Sequence, residues 1–441
     1  MFIEEKKMNV YLYSLGCVKN LVDGEAMSGL LRACGFTLTD EAAAAEVIIV
    51  NTCGFIRSAK EESIAAILRL AAYKQEGRCR LLLAAGCMPQ KYAAEMLSAM
   101  PEIDAALGPG QIREVVPLIR EKLGLGEGPP APCGDIHLLR ILSTPPYTAY
   151  LKIADGCNNR CSYCLIPQLR GVYQSRPMPD ILAEARLLAQ KGVKELILVA
   201  QDTTGYGFDL YGEFVLPQLL RELAALPFVW IRLMYSYPRL IGPELLRVMA
   251  EHENICHYLD LPLQHADDGV LAAMNRSDTR QSLLEKIALI REYLPDAALR
   301  TTVMVGFPGE TRTAWQNLLG FLSEARFDWV GVFAYSKEDG TAAARLPAQV
   351  AQKTKDVRLH KTMSLLAGLS AEKMRGFIRR ELDVLVEGGG EDGLYFGRSA
   401  FHAPEVDGLV YFSGGEQVET GSFVKVRVTS AGVYDLYGEK T

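Results

Sequence analysis

Six of the ten cysteines in this 441-residue chain fall into two trios. Cys157, Cys161 and Cys164 stand together in DGCNNRCSYC, a C-x-x-x-C-x-x-C run. Cys17, Cys53 and Cys87 lie 36 and 34 residues apart, and each closes an apolar run: MNVYLYSLGC, EVIIVNTC and LLLAAGC. Three thiolates on a short loop can ligate three corners of an iron–sulfur cube and leave one iron open for chemistry. Zinc is the rival reading, but a structural zinc site closes with four ligands, usually from two paired knuckles. No second C-x-x-C pair is present.

The elements that must hold these thiols alternate. Over 8–125, strand-like runs at 8–14, 46–51, 80–85 and 103–107 are separated by helix-like stretches near 21–34, 58–76, 90–99 and 111–123. Such alternation predicts a parallel sheet with helices on both faces, a flavodoxin-like arrangement. Ligand sites in open parallel sheets lie outside the carboxyl ends of the strands. The dispersed trio sits just past three such ends, so cysteines remote in sequence can share one crevice. The Gly/Pro-rich stretch GLGEGPPAPCGD leads into a linker placed at 126–142.

From 143 to 345, strand-like AYLKIAD, ELILVAQD, VWIRLMY, HYLDLPL, ALRTTVMVG and WVGVFAYS alternate with helical segments near 179–191, 214–225, 243–252, 281–293 and 311–324. Six βα units predict an open, partial β/α barrel. Barrel chemistry sits on the loops at strand C-terminal ends, and the compact trio follows the first strand. A basic helical connector is expected at 346–378. From 379 to 441 five short strands divided by Gly-rich turns predict a small all-β barrel of the kind that presents a binding surface.

Composition sets the frame. The chain is 49% hydrophobic and 23% charged, with a net charge of −6, no match for nucleic acid as a whole. No apolar run approaches a membrane span, and the start MFIEEKKMNV lacks the pattern of a signal peptide, with Met8 a possible older start. The expectation is cytoplasm, where clustered cysteines serve metal or catalysis more often than disulfides. Cys34, Cys79, Cys133 and Cys256 fit neither trio and are expected to be no ligands; Cys34 and Cys79 read as small packing groups.

The compact run, with Tyr163 before its last cysteine, resembles the radical S-adenosylmethionine (SAM) superfamily. That resemblance implies that the open iron chelates SAM, and that one electron cleaves it to a 5′-deoxyadenosyl radical. Tyr163, Gln201 and Asp202 after the second strand, Gln264 and His265 after the fourth, and Arg300 and Thr301 at the start of the fifth are the candidate SAM-binding residues. Each could instead be a satisfied loop or strand-end group. The segments SLGCVKNLVDGE, NTCGFI, GCMPQKY, YLKIADGCNNRCSYCLIPQLRG, QDTTGYG, YLDLPLQH and VGFPGET, with the final β segment, resemble the methylthiotransferases over essentially the whole chain. The resemblance implies two 4Fe–4S clusters, the second held by Cys17, Cys53 and Cys87, two SAM molecules, a reductant such as flavodoxin or ferredoxin, and a terminal barrel like the TRAM domain.

NLVDGE, NNRCSYCLIP, VAQDTTGYG and the final DLYG lean towards the branch that modifies an aspartate β-carbon of small-subunit ribosomal protein twelve. Val18 and Gly24 depart from that branch, which usually has Pro and Ser there. Two alternatives stay open: methylthiolation of an adenosine in tRNA, and a non-catalytic iron–sulfur sensor that docks to ribosomes. Charge bears on the choice. Residues 379–441 hold six Lys/Arg against eleven Asp/Glu, a net of −5. Such a domain would repel phosphate and attract a lysine-rich protein, so nucleic acid is not the expected main substrate.

Overall fold

A computed structural model describes residues 8–126, 128–390, 393–414 and 418–441. The N-terminal sheet has five parallel strands, β1 (Asn9–Ser14), β2 (Thr37–Leu38), β3 (Val47–Thr52), β4 (Leu81–Gly86) and β5 (Ala105–Leu107). Their order is β2-β1-β3-β4-β5. β3 and β4 are buried along their full length, as expected of strands covered by helices on both faces. The chain reverses direction across the sheet between β1 and β3, the switch point where such folds place ligands.

The linker is not free. Arg120 donates to the Pro129 carbonyl at 3.0 Å, and Arg113 donates to the Pro132 and Gly134 carbonyls. Arg140 is buried, donating to Glu25 at 2.5 Å and 3.1 Å, to the Tyr150 carbonyl at 2.8 Å and to Glu184.

The central domain is an open arc of six parallel strands: β6 (Thr148–Lys152), β9 (Glu195–Val199), β10 (Trp230–Leu233), β11 (Ile255–Gln264), β12 (Ala298–Val305) and β13 (Trp329–Ala334), side by side in that order. A two-strand ribbon, β7 (Ala154–Asp155) with β8 (Gln174–Ser175), brackets the compact cysteine run. Side chains alternate across a strand. Leu151, Leu196 and Leu198 pack against the helices outside the arc. Tyr150, Ile197, Val199, Met234 and Tyr258 turn inward instead.

The inward face is covered by the terminal domain, a closed barrel of β14 (Glu381–Gly389), β15 (Leu394–Ser399), β16 (Val410–Ser413), β17 (Phe423–Ala431) and β18 (Leu436–Lys440). Polar pegs fix it. Glu195, fully buried, accepts from Arg232 at 2.9 Å and from Arg398 of β15 at 2.6 Å. Trp329 donates to the Phe401 carbonyl at 2.8 Å, and Tyr258 to Asp407 at 2.6 Å. Burial raises the Asp407 carboxyl to about 6, against the opposing pull of its bonds from Tyr258 and Ala403.

The connector helix runs Gln352–Arg375. Several of its basic residues are internal staples: Lys355 donates to the Tyr335 carbonyl at 2.7 Å, Arg358 to Glu310 at 2.9 Å, and Lys373 to Asp328 at 2.8 Å.

Candidate active site

The dispersed trio stands on the carboxyl ends of the adjacent strands β1, β3 and β4. Two Gly-Cys pairs need their glycines. Gly16 has φ +88°, and a Cβ there would lie 2.8 Å from Cys53 Cβ; Gly86 has φ +92°, and its Cβ would lie 2.4 Å from Asn51 Oδ1. Both are positions that only glycine fills without strain.

Cys17 caps the helix Val18–Ala33. Burial pushes its thiol up, but Lys19, Arg170 and the backbone N–H groups of Asn20 and Lys19 outweigh that, and the net shift is down. A thiolate at a helix N-terminus beside cations is the expected beneficiary. Its own surface is solvent-accessible, at the wall of a cavity between the three domains. Cys53 is raised by burial, and Cys87 is raised to about 11 by burial despite Arg170.

The compact trio lies on a loop tied down by its neighbours rather than by regular structure. The Cys157 N–H donates to the Gly171 carbonyl at 3.2 Å, and Asn159 Nδ2 donates to Asp202 at 2.9 Å. Ser162 bonds the Ala273 and Met274 carbonyls, and its own carbonyl accepts from the Ala343 N–H at 2.7 Å. Loops after β9, β11 and β13 therefore position the three thiols. Burial raises Cys157 to about 11 and Cys164 to about 12.

The donor sets fit clusters. Each is three thiols. A structural zinc site closes with a fourth protein ligand, whereas three thiolates leave one iron of a cluster open. Bound metal deprotonates such thiols and so reverses the effect of burial.

The other predicted residues divide. Gln201 donates to Asp155 at 2.9 Å, and its buried Oε1 has no partner. Asp202 caps the turn Thr203–Gly205 and accepts from Asn159 of the cysteine loop. Tyr163 packs edge-on against Phe307, centroids 6.5 Å apart. These three border the compact trio. Gln264 ends β11 with φ +71°. Fully buried His265 accepts from the Asp267 N–H at 3.0 Å, orienting the segment that reaches the cysteine loop. Arg300 and Thr301 lie at the opening of β12, not at its carboxyl end. Arg300 donates to Asp260 at 2.9 Å, and its Nε is 3.4 Å from Asp407. Thr301 donates to the Leu261 carbonyl at 2.7 Å. Cys34, Cys79 and Cys256 are buried and Cys133 is exposed.

Residues outside the predicted set join the two trios. Cys87 packs against Leu165, the residue after Cys164, and Leu169. Arg170 then reaches across, donating to Cys87 Sγ at 3.2 Å, Asp23 at 2.6 Å, Asn20 at 2.9 Å and Asp155 at 3.0 Å. Lys152 closes the square by bonding Asp23 and Asp155. Glu338, after β13, accepts from the Arg57 N–H at 2.8 Å and from Lys60 at 2.7 Å, clamping the N-terminal domain to the arc. The signal for this network lay in the segments SLGCVKNLVDGE and IPQLRG, whose polar residues mark helix and loop faces too buried to be solvated.

Comparison with known proteins agrees with this architecture. Residues 9–108 match the uncharacterized protein family UPF0004, 151–322 the radical SAM superfamily, and 378–440 the TRAM domain. In fold the chain resembles the radical S-adenosylmethionine methyltransferase TsrM of Kitasatospora setae, with TM-score 0.58 and 14% identity over 76% of this chain and 77% of that one. Relatives named ribosomal protein uS12 methylthiotransferase RimO are similar along nearly their whole length. That of Pelotomaculum thermopropionicum is 48% identical over 98% of this chain and 99% of its own. That of Heliobacterium modesticaldum is 49% identical over 98% and 95%, and that of Geobacter sulfurreducens 47% over 98% of each. With its two cysteine trios, open barrel and terminal barrel in the same order, the chain belongs to the RimO family of radical SAM methylthiotransferases.

Proposed function

We propose that this chain inserts a methylthio group at the β-carbon of an aspartate in small-subunit ribosomal protein uS12. The observation that carries the reading is the junction: Cys87 packs on the residue following Cys164, so both trios open onto one domain boundary. An unactivated C–H bond has no proton acidic enough for a general base. When bound, the 4Fe–4S cluster and SAM of the compact trio would supply radical chemistry, and the cluster of the dispersed trio would carry on its open iron the sulfur to which a second SAM gives its methyl group. The protein's own work is to bind, orient and exclude water.

Cys157, Cys161 and Cys164 hold the first cluster; Cys17, Cys53 and Cys87 hold the second. Tyr163, Gln201 and Asp202 border the first, and the partnerless Gln201 Oε1 suits a cationic donor such as the SAM amino group. Gln264 and His265 shape the adjoining wall. Arg300 and Thr301 act at longer range, through Asp260 and the strand backbone. A small electron carrier such as flavodoxin or ferredoxin supplies the electron. Among the described residues no helix is long and apolar enough to cross a membrane. A ribosomal substrate would be met in the cytoplasm.

The terminal barrel favours protein over RNA. Of its eleven acids, Glu391, Asp392 and Glu416 lie outside the described residues. Glu387 is spent on Arg398 and Asp407 on Tyr258, whereas Glu405 remains exposed on the wall of the three-domain cavity. The test is mass spectrometry of uS12 and of bulk tRNA from a deletion strain. Loss of the methylthio group from uS12 with intact tRNA is expected. Loss from tRNA with intact uS12 would overturn the substrate assignment.

A further inference from the structure

Lys19 is the second residue of the helix that Cys17 caps, and only 8% exposed. Other buried cations of the junction have carboxylate partners: Lys152 and Arg170 share Asp23 and Asp155, Arg300 has Asp260, and Arg232 and Arg398 share Glu195. Among the described residues Lys19 has no ion pair and no side-chain hydrogen bond. Its ammonium sits 3.5 Å from the centroid of the Tyr235 ring. Asp260 acts on it only at longer range, because its oxygens accept from Arg300 at 2.9 Å and from the Tyr235 N–H at 3.3 Å. Arg170 opposes it with a like charge. Burial opposes its charge and Tyr235 and Cys17 favour it, but no carboxylate pairs with it. A buried ammonium lacking a carboxylate partner is costly, and one kept beside a cavity suits an anion that arrives from outside.

The cavity is there. A space of about 190 Å³ is walled by Gly16, Cys17 and Val18, by Tyr150 and Tyr235 of the arc, and by Glu405 of the terminal barrel. Tyr235 holds its place with φ +59° at the carboxyl end of β10, a conformation uncommon for a bulky residue and found where the surroundings enforce it. The Lys19 ammonium sits against Tyr235, which lines the cavity together with Cys17 and Glu405. A basic peptide carrying one acidic side chain matches these two charges; a phosphate backbone would meet Glu405.

We propose that Lys19 is a specificity-determining residue that reads the carboxylate of the substrate aspartate. The inference rests on the function proposed above and adds how the aspartate is chosen. The β-carbon of an aspartate is bonded directly to its carboxylate carbon. Anchoring the carboxylate on Lys19 therefore places the reacting carbon next to the Cys17 site with no further contact. An asparagine or a neutral base offers the ammonium no charge.

The test uses the full-length reconstituted protein and two fluorescent peptides of the uS12 substrate loop, one with the target aspartate and one with asparagine in its place. A charge-assisted hydrogen bond corresponds to about 10- to 100-fold in affinity, so the wild type should prefer the aspartate peptide by about that factor. Lys19→Gln should bind both peptides within about twofold of each other, and Lys19→Arg should restore part of the preference. Iron content of each variant is read in parallel. A Lys19→Gln protein that keeps the preference overturns the role of Lys19 alone. One that keeps it while losing iron marks Lys19 as a counter-charge for the cluster, which also overturns the proposal. A wild type that binds neither peptide overturns the substrate assignment on which the proposal rests.

Discussion

Replacing Arg170 by methionine should unfasten the junction that brings the trios together. Its side chain is 1% exposed and bonds Asp23, Asp155, Asn20 and Cys87 at 2.6–3.2 Å. Methionine fills similar space without charge, so the change isolates electrostatics from packing. The buried carboxylate of Asp23 and the partly exposed one of Asp155 would then share the single ammonium of Lys152. Breaking a buried pair costs about 3–5 kcal/mol, and the remaining lysine places this case near the lower end, about 3 kcal/mol. Arg170→Lys keeps the charge but cannot span four partners, and should cost about 1–2 kcal/mol. Urea unfolding of the metal-free chain, followed by tryptophan fluorescence, reads both values. The Cys87 thiol would also lose the cation that counters its burial, so iron recovered at the dispersed trio should fall. An Arg170→Met protein within about 0.5 kcal/mol of wild type and with full iron would show that Arg170 does not fasten the junction.

Three other outcomes follow from separate features. Glu195 is pushed up by burial but brought down to about 2, from an ordinary 4.5, by Arg398 and Arg232. A depressed carboxyl contributes stability that is complete above about pH 4.5 and is lost as pH falls through about 2; the gap corresponds to about 3 kcal/mol. Glu195→Gln should thus destabilise at pH 7 by about 3 kcal/mol and by progressively less on acidification, and equal loss at pH 7 and pH 3 in urea unfolding would contradict it. In the metal-free protein, Cys17 should react with iodoacetamide faster than the other five ligand cysteines, because it alone is both accessible and lowered; peptide mapping showing Cys164 modified first would be the contrary result. A Cβ at Gly24 would lie 2.4 Å from Ser14 Oγ. Gly24→Ser should cost about 1–3 kcal/mol and recover with Ser14→Gly; thermal denaturation in which the second change gives no recovery would count against this packing.

Nothing in the structure explains the departure from the family pattern at position 24, since Ser14, which crowds a Cβ there, belongs to the shared segment itself. The strand-end positions of Cys17, Cys53 and Cys87 were legible because each follows a short apolar run of strand length. The two parallel sheets and the terminal barrel followed from the same alternation. Less was legible where contacts are remote. The two-residue β2 and the β7–β8 ribbon are too short to carry a period. Inward residues such as Tyr150 and Ile197 announced burial but not what covers them, and the cover comes from the far end of the chain. Arg170 lies 147 residues from Asp23, and no local pattern pairs them. Sequence marks the connector helix as basic but cannot show that Lys355 and Arg358 turn onto the Tyr335 carbonyl and Glu310.

The division of labour between the trios is tested most directly by one assay on two variants. Reconstituted Cys161→Ala and Cys87→Ala proteins are incubated anaerobically with reductant, SAM and uS12, and both 5′-deoxyadenosine and methylthiolated uS12 are measured by mass spectrometry. Cys161→Ala should form neither product, and Cys87→Ala should still cleave SAM but transfer no methylthio group. Methylthiolated uS12 from the Cys87→Ala protein, or SAM cleavage by Cys161→Ala at the wild-type rate, would contradict that division.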